Sequence, residues 1–243
     1  MKRILIAITV LVLIAVASTA QKHDKPWQEW SKKDAQKILD DSAWGQTQTE
    51  TDVSEMFYTP TTQSGRGTSS SRQVQGATNQ PINVNFHIRF FTARPIRQAF
   101  ARLMIINQPN LDKGTIERLT TFTNLRSDQW IIVAVGYDAN DQRFSGPVMQ
   151  AFGSATTETL KNNTYLERKD GTKNFLNEYV PPGKDGFGAR FIFPRNVDGQ
   201  PFVTVDSGEV RFYSEYPTTG TNKLKLNMRF KVADMIANGQ LEY

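Results

Sequence analysis

Residues 82–104 read INVNFHIRFFTARPIRQAFARLM and predict a β-strand followed directly by an α-helix. In the first half, apolar and more polar side chains alternate, with the apolar ones at Val84, Phe86, Ile88 and Phe90. This period of two is typical of a strand that buries one face. A proline then stands where a helix can begin, and the next apolar residues recur at the three- and four-residue spacing of one helical face. This unit is the best-defined structure that the sequence predicts.

The chain after this unit is expected to consist mostly of strands. A second helix is predicted over Thr115–Leu125, a central strand over the apolar run Trp130–Tyr137, and a short helix over Thr157–Asn162. The remaining strands are predicted over Thr164–Arg168 and Asn174–Val180, as a hairpin about Asp170-Gly171, and over Phe187–Pro194, Glu209–Tyr216 and Lys223–Lys231. Together these elements predict an α+β main domain over residues 82–243. Its architecture is expected to be a mainly antiparallel β-sheet or sandwich with a few short helices.

The N-terminal segment has the composition of a secretory signal peptide. Lys2 and Arg3 form a positive n-region, Ile4–Ala17 form an almost uninterrupted apolar stretch, and small residues end at Ala20. Because this stretch is shorter than the roughly 20 residues of a membrane-spanning helix, we expect cleavage after Ala20 and no stable membrane span afterwards. Retention of residues 1–20 as an anchor is the open alternative. The predicted location is periplasmic or extracellular.

Three of the four tryptophans, Trp27, Trp30 and Trp44, lie in the following segment, residues 21–58. Between them, Ser31-Lys32-Lys33-Asp34 has the pattern of a capping box and predicts the start of a short helix. Such a helix is too short to be stable alone and must pack against another surface. We expect this N-terminal arm to dock on the chain's own main domain. The alternative is that its aromatic residues bind another protein or a glycan.

Residues 59–81 separate the arm from the main domain. The stretch opens with TPTTQSGRGTSSS and contains one large aliphatic residue, Val74. It buries too little apolar surface to offset the entropy of ordering, so it is predicted to be a flexible linker.

Cysteine is absent, and the formal net charge is +5. An exported chain without Cys has no disulfides, no thiol to accept a lipid and no thiolate metal site. Lys2 and Arg3 are two of the 29 basic residues, so cleavage leaves an excess of three over the 24 acidic ones. This small excess does not predict a nucleic-acid partner. The sequence contains no motif for a cofactor or a metal, and we expect neither.

No group of residues predicts a catalytic site. The chain has two histidines, His23 and His87, and no serine in a G-x-S-x-G motif, so no catalytic residue is predicted. The alternative is a periplasmic hydrolase acting on envelope polysaccharide or peptide. It would draw on Asp198, Asp206, Glu209 or His87, and it requires at least two of these groups to converge in a cleft.

Four arginines cluster around the junction between the predicted strand and helix: Arg89, Arg94, Arg97 and Arg102. The amide groups at the start of a helix also favour anions. The sequence therefore predicts binding of an anionic envelope polymer or an envelope protein with an acidic surface. The predicted binding residues are these four arginines together with Trp27, Trp30 and Trp44.

Several short motifs resemble a family of uncharacterised secreted proteins from Acidobacteria. They are Trp30-Ser31-Lys32-Lys33-Asp34-Ala35 with Ser42-Ala43-Trp44, Arg94-Pro95-Ile96-Arg97-Gln98-Ala99, Val180-Pro181-Pro182, Phe191-Ile192-Phe193-Pro194-Arg195 and Asn238-Gly239-Gln240-Leu241-Glu242-Tyr243. The resemblance implies export and a shared architecture, and it implies no known activity. We therefore expect an exported, non-enzymatic protein of the bacterial cell envelope with a binding or structural role.

Overall fold

A computed structural model describes residues 25–51, 83–139, 142–216 and 223–243, with the backbone alone for residues 142–144. The predicted signal peptide and the predicted linker both lie outside these ranges. Within the described ranges, no helix is both long enough and apolar enough to cross a membrane.

Helices and strands account for most of the described residues. The five α-helices among them are α1 (Lys32–Asp40), α2 (Arg94–Asn107), α3 (Lys113–Asn124), α4 (Gln142–Ser154) and α5 (Thr157–Leu160). The thirteen strands are β1 (Gly45–Thr51), β2 (Asn83–Phe90), β3 (Trp130–Ala139), β4 (Thr164–Arg168), β5 (Lys173–Phe175), β6 (Glu178–Val180), β7 (Ala189–Pro194), β8 (Asn196–Val197), β9 (Gln200–Pro201), β10 (Glu209–Tyr216), β11 (Leu224–Lys231), β12 (Ile236–Ala237) and β13 (Gln240–Leu241).

Two antiparallel sheets contain most of these strands. The five-stranded sheet has the order β1-β2-β3-β7-β6, and the four-stranded sheet has the order β11-β10-β4-β5. Aromatic contacts join their facing sides: the ring centroids of Phe90 and Phe230 lie 4.9 Å apart, and those of Phe191 and Phe212 lie 5.0 Å apart. The core therefore lies between the sheets, as in a β-sandwich. The predicted α+β class with mainly antiparallel sheet is confirmed.

Helices α1, α2 and α3 form a third layer on the other face of the five-stranded sheet. On this side, the Arg89 guanidinium of β2 donates to the carbonyl oxygen of Leu39 near the end of α1. Phe91, directly after β2, packs against Phe100 of α2 and Phe122 of α3. The alternating pattern of β2 thus separates two environments, because its apolar residues face the sandwich and its polar ones face the helices.

The N-terminal segment is part of this core. Strand β1 pairs with β2 along its whole length, from Gly45 opposite Arg89 to Thr51 opposite Asn83. The side chains of Trp27, Trp30 and Trp44 are buried in the same apolar cluster as the sandwich core. The expectation that the arm docks on its own main domain is therefore confirmed. The predicted arm and domain boundaries at 58 and 82 lie outside the described residues.

The capping box predicted at the start of α1 is also present. The Asp34 amide donates to the Ser31 hydroxyl oxygen at 3.1 Å, and the Ser31 amide donates to the Asp34 carboxylate at 3.0 Å. The carboxylate of Asp34 thus reaches back as the longer Glu usually does. Ala35, Ile38 and Leu39 form the buried face of the helix.

Strand β1, helix α4 and the segment of β5 and β6 differ from the sequence prediction, and the short strands β8, β9, β12 and β13 were not predicted. Strand β1 has the polar sequence GQTQTET, which has no apolar period, and it forms because β2 offers an open edge. Helix α4 contains Pro147 and two glycines, which hide its helical pattern. The single strand predicted over Asn174–Val180 is wrong: the chain forms β5 in one sheet and β6 in the other. Leu176 is buried where the chain passes between the sheets.

Candidate functional site

Helix α2 begins without a side-chain cap of its own, because Ala93 occupies the N-cap position. The carboxylate of Glu242, from the C-terminal segment, supplies one instead. It accepts from the Arg94 amide at 3.2 Å and from the Arg94 guanidinium at 2.6 Å. A carboxylate at this place satisfies a free amide and complements the positive end of the helix.

One turn further along α2, Arg97 is 5% exposed. Its guanidinium donates to the main-chain carbonyl oxygens of Thr92 and Leu125, which ties the start of α2 to the end of α3. Burial lowers the pKa of Arg97, Glu242 opposes this effect, and the charges of Arg94 and Arg195 add to it, so that the pKa is about 10. Arg97 still carries its charge at neutral pH.

Arg97 forms one wall of a cleft of about 240 Å³ between the start of α2, the segment after α3 and the C-terminal segment. Arg126 and Arg195 line the same cleft. Arg126 donates to the Gln240 side chain at 2.7 Å. Arg195 donates to the main-chain oxygen of Tyr243 at 2.6 Å, and its guanidinium carbon lies 4.2 Å from the centre of the Tyr243 ring. We call this feature the basic cleft, defined by Arg97, Arg126 and Arg195.

Positive charge in the basic cleft is incompletely neutralised. Two carboxylates, Asp128 and Glu242, line the cleft beside the three arginines. Among the described residues neither lies within ion-pair distance of these arginines, and Glu242 is already paired with Arg94. The Nε atoms of Arg97 and Arg195 are buried without an acceptor in the described structure. A planar guanidinium binds carboxylate, phosphate or sulfate oxygens with two parallel hydrogen bonds. Arg126 is the exposed arginine of the three and can offer such bonds, whereas both Nη atoms of Arg97 already donate to carbonyl oxygens. The cleft is therefore suited to holding an anionic group against Arg126, with Arg97 as a fixed charge beside it.

Of the four predicted arginines, Arg97 lines the basic cleft, and Arg94 lies beside it and is paired with Glu242. The other two lie elsewhere and have partners within the chain. Arg89 is buried and donates to the Asp40 carboxylate at 2.7 Å. Arg102 donates to the main-chain oxygen of Trp30 at 2.6 Å, and this bond holds the arm against α2.

The predicted tryptophans are parts of the core and not of the surface. Trp27, Trp30 and Trp44 are each at most 8% exposed. The Trp44 indole donates to the main-chain oxygen of Glu242 at 2.9 Å, and the Trp30 indole donates to that of Lys25 at 3.1 Å. Their side chains anchor the arm within the molecule, and the described surface does not present them to a ligand.

His87 lies on the helix-facing side of β2 and bridges two carboxylates. Its Nδ1 is 2.9 Å from the Asp40 carboxylate on α1, and its Nε2 is 2.6 Å from the Asp138 carboxylate on β3. Burial by itself lowers the pKa of His87, but the hydrogen bonds to the two carboxylates outweigh it and raise the pKa above 6.5. Burial opposes ionisation of Asp40, yet hydrogen bonds from His87, Gln36 and Arg89 hold its pKa well below the usual range.

The hydroxyl of Thr47 lies 3.2 Å from His87 Nδ1, which gives the group some likeness to a catalytic triad. However, a catalytic base needs a free ring nitrogen, and the hydrogen bonds of His87 favour the form that is protonated on both nitrogens. This geometry suits a structural ion-pair network better than proton transfer.

The other groups of the hydrolase alternative do not join His87. Asp198 lies in the tight turn between β8 and β9, at a φ of 52°. Asp206 lies in a 3₁₀ turn, and Glu209 begins β10, where it pairs with Arg229 at 3.7 Å. The carboxylates that contact His87 are those of Asp40 and Asp138.

Sequence reasoning did not identify Arg126 and Arg195 as members of the cleft. Arg195 falls within one of the motifs of the family resemblance, but nothing in its local sequence marks it as a binding residue. The cleft is built from four separate segments of the chain, so no pattern in the local sequence indicates it. Comparison of the chain with models of known protein families, with curated proteins and with solved structures gave no match.

Proposed function

We propose that this protein is exported, non-enzymatic and bound to an anionic polymer of the bacterial cell envelope, with an acidic group of the polymer in the basic cleft. The observation that carries the proposal is the convergence of Arg97, Arg126 and Arg195 on one cleft. They outnumber its two carboxylates, Asp128 and Glu242, and form no ion pair with either among the described residues. Export rests on the composition of residues 1–20.

Chemistry of the cleft supports binding in preference to catalysis. Guanidinium groups keep their charge at physiological pH and do not act as general bases. The rigid attachment of Arg97 to two carbonyl oxygens preorganises its charge, so little side-chain entropy is lost when an anion enters. Of the candidate groups of a hydrolase, Asp206 and Glu209 are near each other in the chain but line two different pockets, and His87 contacts neither of them.

The proposal is tested by two substitutions of opposite sign. Arg126 and Asp128 are both exposed and both line the cleft. Arg126→Gln removes a positive charge and should weaken polyanion binding about threefold, whereas Asp128→Asn removes a negative charge and should strengthen it by a similar factor. Arg118→Gln, at an exposed arginine on α3 outside the cleft, is the matched control.

Binding is measured by affinity electrophoresis of the chain from residue 21 through gels containing a polyphosphate, a polyuronate or uncharged dextran. We expect retardation by a polyanion, no retardation by dextran, and opposite shifts for the two cleft variants. Equal shifts of Arg126→Gln and Arg118→Gln would mean that net charge alone is responsible, and the cleft would then have no role.

A further inference from the structure

A row of aromatic rings crosses the outward face of the four-stranded sheet. Tyr213 on β10 lies opposite Tyr165 on β4, and Tyr165 lies opposite Phe175 on β5. The two tyrosine rings are nearly parallel, and their centroids lie 5.1 Å apart. The centroid of the Phe175 ring lies 5.8 Å from that of Tyr165. The row ends at the edge strand, where Phe175 is 50% exposed. We call these three residues the ring row.

Cations lie directly against the ring row. The Lys173 ammonium is 4.1 Å from the centre of the Tyr165 ring. The Arg211 guanidinium lies within 5.8 Å of the centres of both tyrosine rings and pairs with Glu167. These contacts hold the two cations beside the rings by cation–π attraction.

The neighbouring strand β11 adds further positive charge. Its outward residues are all exposed: Lys225, Asn227, Arg229 and Lys231. The carboxylates of this face already have cationic partners, with Glu209 paired to Arg229 and Glu215 paired to Lys223. Lys225 and Lys231 have no ion-pair partner among the described residues, so they leave the face with an excess of positive charge.

A groove of about 200 Å³ adjoins the ring row. Its lining includes Arg168, Lys169, Arg211 and Arg229 along with two carboxylates, Glu167 and Glu209. Rings, groove and lysines thus occupy one continuous face of the sheet. This face belongs to the opposite layer of the molecule from the helices that frame the basic cleft.

We propose that this face binds an acidic polysaccharide, with sugar rings against the ring row and carboxylate groups on the cations of β10 and β11. A sugar ring presents an apolar C–H face, which packs on an aromatic ring, and its carboxylate matches a guanidinium. The rings and the cations beside them therefore match both parts of an acidic sugar. The surface is independent of the basic cleft.

Two features favour a glycan over a protein as the occupant. Phe175 is the one large apolar side chain of this face that is exposed among the described residues, whereas a protein interface needs a broad apolar centre. The ring row also crosses β4 and β10, which are paired on both sides, and its edge strand β5 is three residues long, so an added peptide strand finds only a short hydrogen-bonding edge.

The test measures binding of the chain from residue 21 to polygalacturonate. Dextran is the control for a sugar polymer without charge, and poly-L-glutamate is the control for carboxylates without sugar. Phe175→Ala should weaken polygalacturonate binding about fivefold. Ile116→Ala, at an exposed apolar residue on α3, is the matched control and should leave binding unchanged. Arg229→Gln should weaken binding and reduce its dependence on salt.

Four results would overturn the proposal. Equal binding by Phe175→Ala and Ile116→Ala would mean that the ring row is not part of the binding site. Equal affinity for poly-L-glutamate would identify an acidic peptide instead of a glycan. A dimer that dissociates on Phe175→Ala would identify a second copy of the chain as the occupant. Arg126→Gln separates the two sites, because a loss of polygalacturonate binding in that variant alone would assign the binding to the basic cleft.

Discussion

Deprotonation of His87 should weaken the attachment of α1 to the five-stranded sheet. The groups that face its ring are Asp40 from α1, Thr47 from β1, Arg89 from β2 and Asp138 from β3. Only the protonated ring donates to both carboxylates, because the neutral ring has one N–H. Once the proton leaves, one carboxylate faces a lone pair on nitrogen.

The direction of the effect follows from the raised pKa of His87. The folded protein binds this proton more tightly than the unfolded chain, in which the pKa is about 6.5. The extra stability is therefore fully present below about pH 6.5 and is lost as the pH rises through the folded-state pKa. Asp40 does not titrate in this range, since its own pKa is held well below the usual value.

The magnitude follows from the exposure of the two partners. A hydrogen bond between charged groups contributes about 1.5–3 kcal/mol when it is buried, and an exposed ion pair contributes at most about 1 kcal/mol. The side chain of Asp138 is 59% exposed and that of Asp40 is 22% exposed. Because the neutral ring keeps one of its two bonds, we expect a loss of about 1 kcal/mol between about pH 6 and pH 9.

Urea unfolding followed by tryptophan fluorescence measures this loss. The wild-type chain should be about 1 kcal/mol less stable at pH 9 than at pH 6, and His87→Gln should remove that difference. Asp138→Asn, which leaves the Asp40 contact in place, should retain part of it. If His87→Gln shows the same dependence on pH as the wild type, the bridging role of His87 is refuted.

Ser31→Ala should cost about 1 kcal/mol in urea unfolding, since it removes the capping box of α1; an unchanged midpoint would mean that the cap contributes nothing. Gly188→Ala should cost more than Gly186→Ala: both have positive φ, but a Cβ at Gly188 would lie 2.3 Å from a main-chain oxygen of β3, and one at Gly186 meets nothing. Equal losses in the two variants would contradict this close approach. Deleting residues 59–81 should raise the free energy of unfolding by about 1 kcal/mol, because β1 and β2 pair at the ends that this segment connects and a shorter connection costs less entropy. A lower stability would contradict the linker prediction.

The strand and helix of residues 83–107 could be predicted because the apolar residues of each recur at a single regular spacing. All four apolar residues of β2 are fully buried. Of the face that the spacing of α2 indicates, Ile96 and Ala99 are buried and Phe100 and Leu103 are half-buried, whereas Met104, near the end of the helix, is 37% exposed. By contrast, β1 has no apolar period to detect. Its two glutamines and Thr47 are half-buried, and Thr49 and Thr51 are exposed. Its place at the edge of the sheet depends on pairing with β2, which lies more than 30 residues further along the chain.

The candidate site was only partly predictable for a related reason. Arg94 and Arg97 lie next to the apolar pattern of α2, and their position at a helix start indicated anion binding. Their counterparts Arg126 and Arg195 come from other elements. Arg89 and Arg102 are arginines of the same sequence cluster, but each is bound by a partner from the N-terminal segment.

The sequence by itself determined the fold class, the main strands and helices, and the start of α1, because period and capping chemistry act over a few residues. Tertiary structure alone decided which charges are neutralised. Glu242 caps and pairs Arg94 from 148 residues away, and the Trp44 indole bonds to the chain 198 residues away. Charge balance depends on distances of a few ångströms in space, and contacts between such distant residues leave no trace in local spacing.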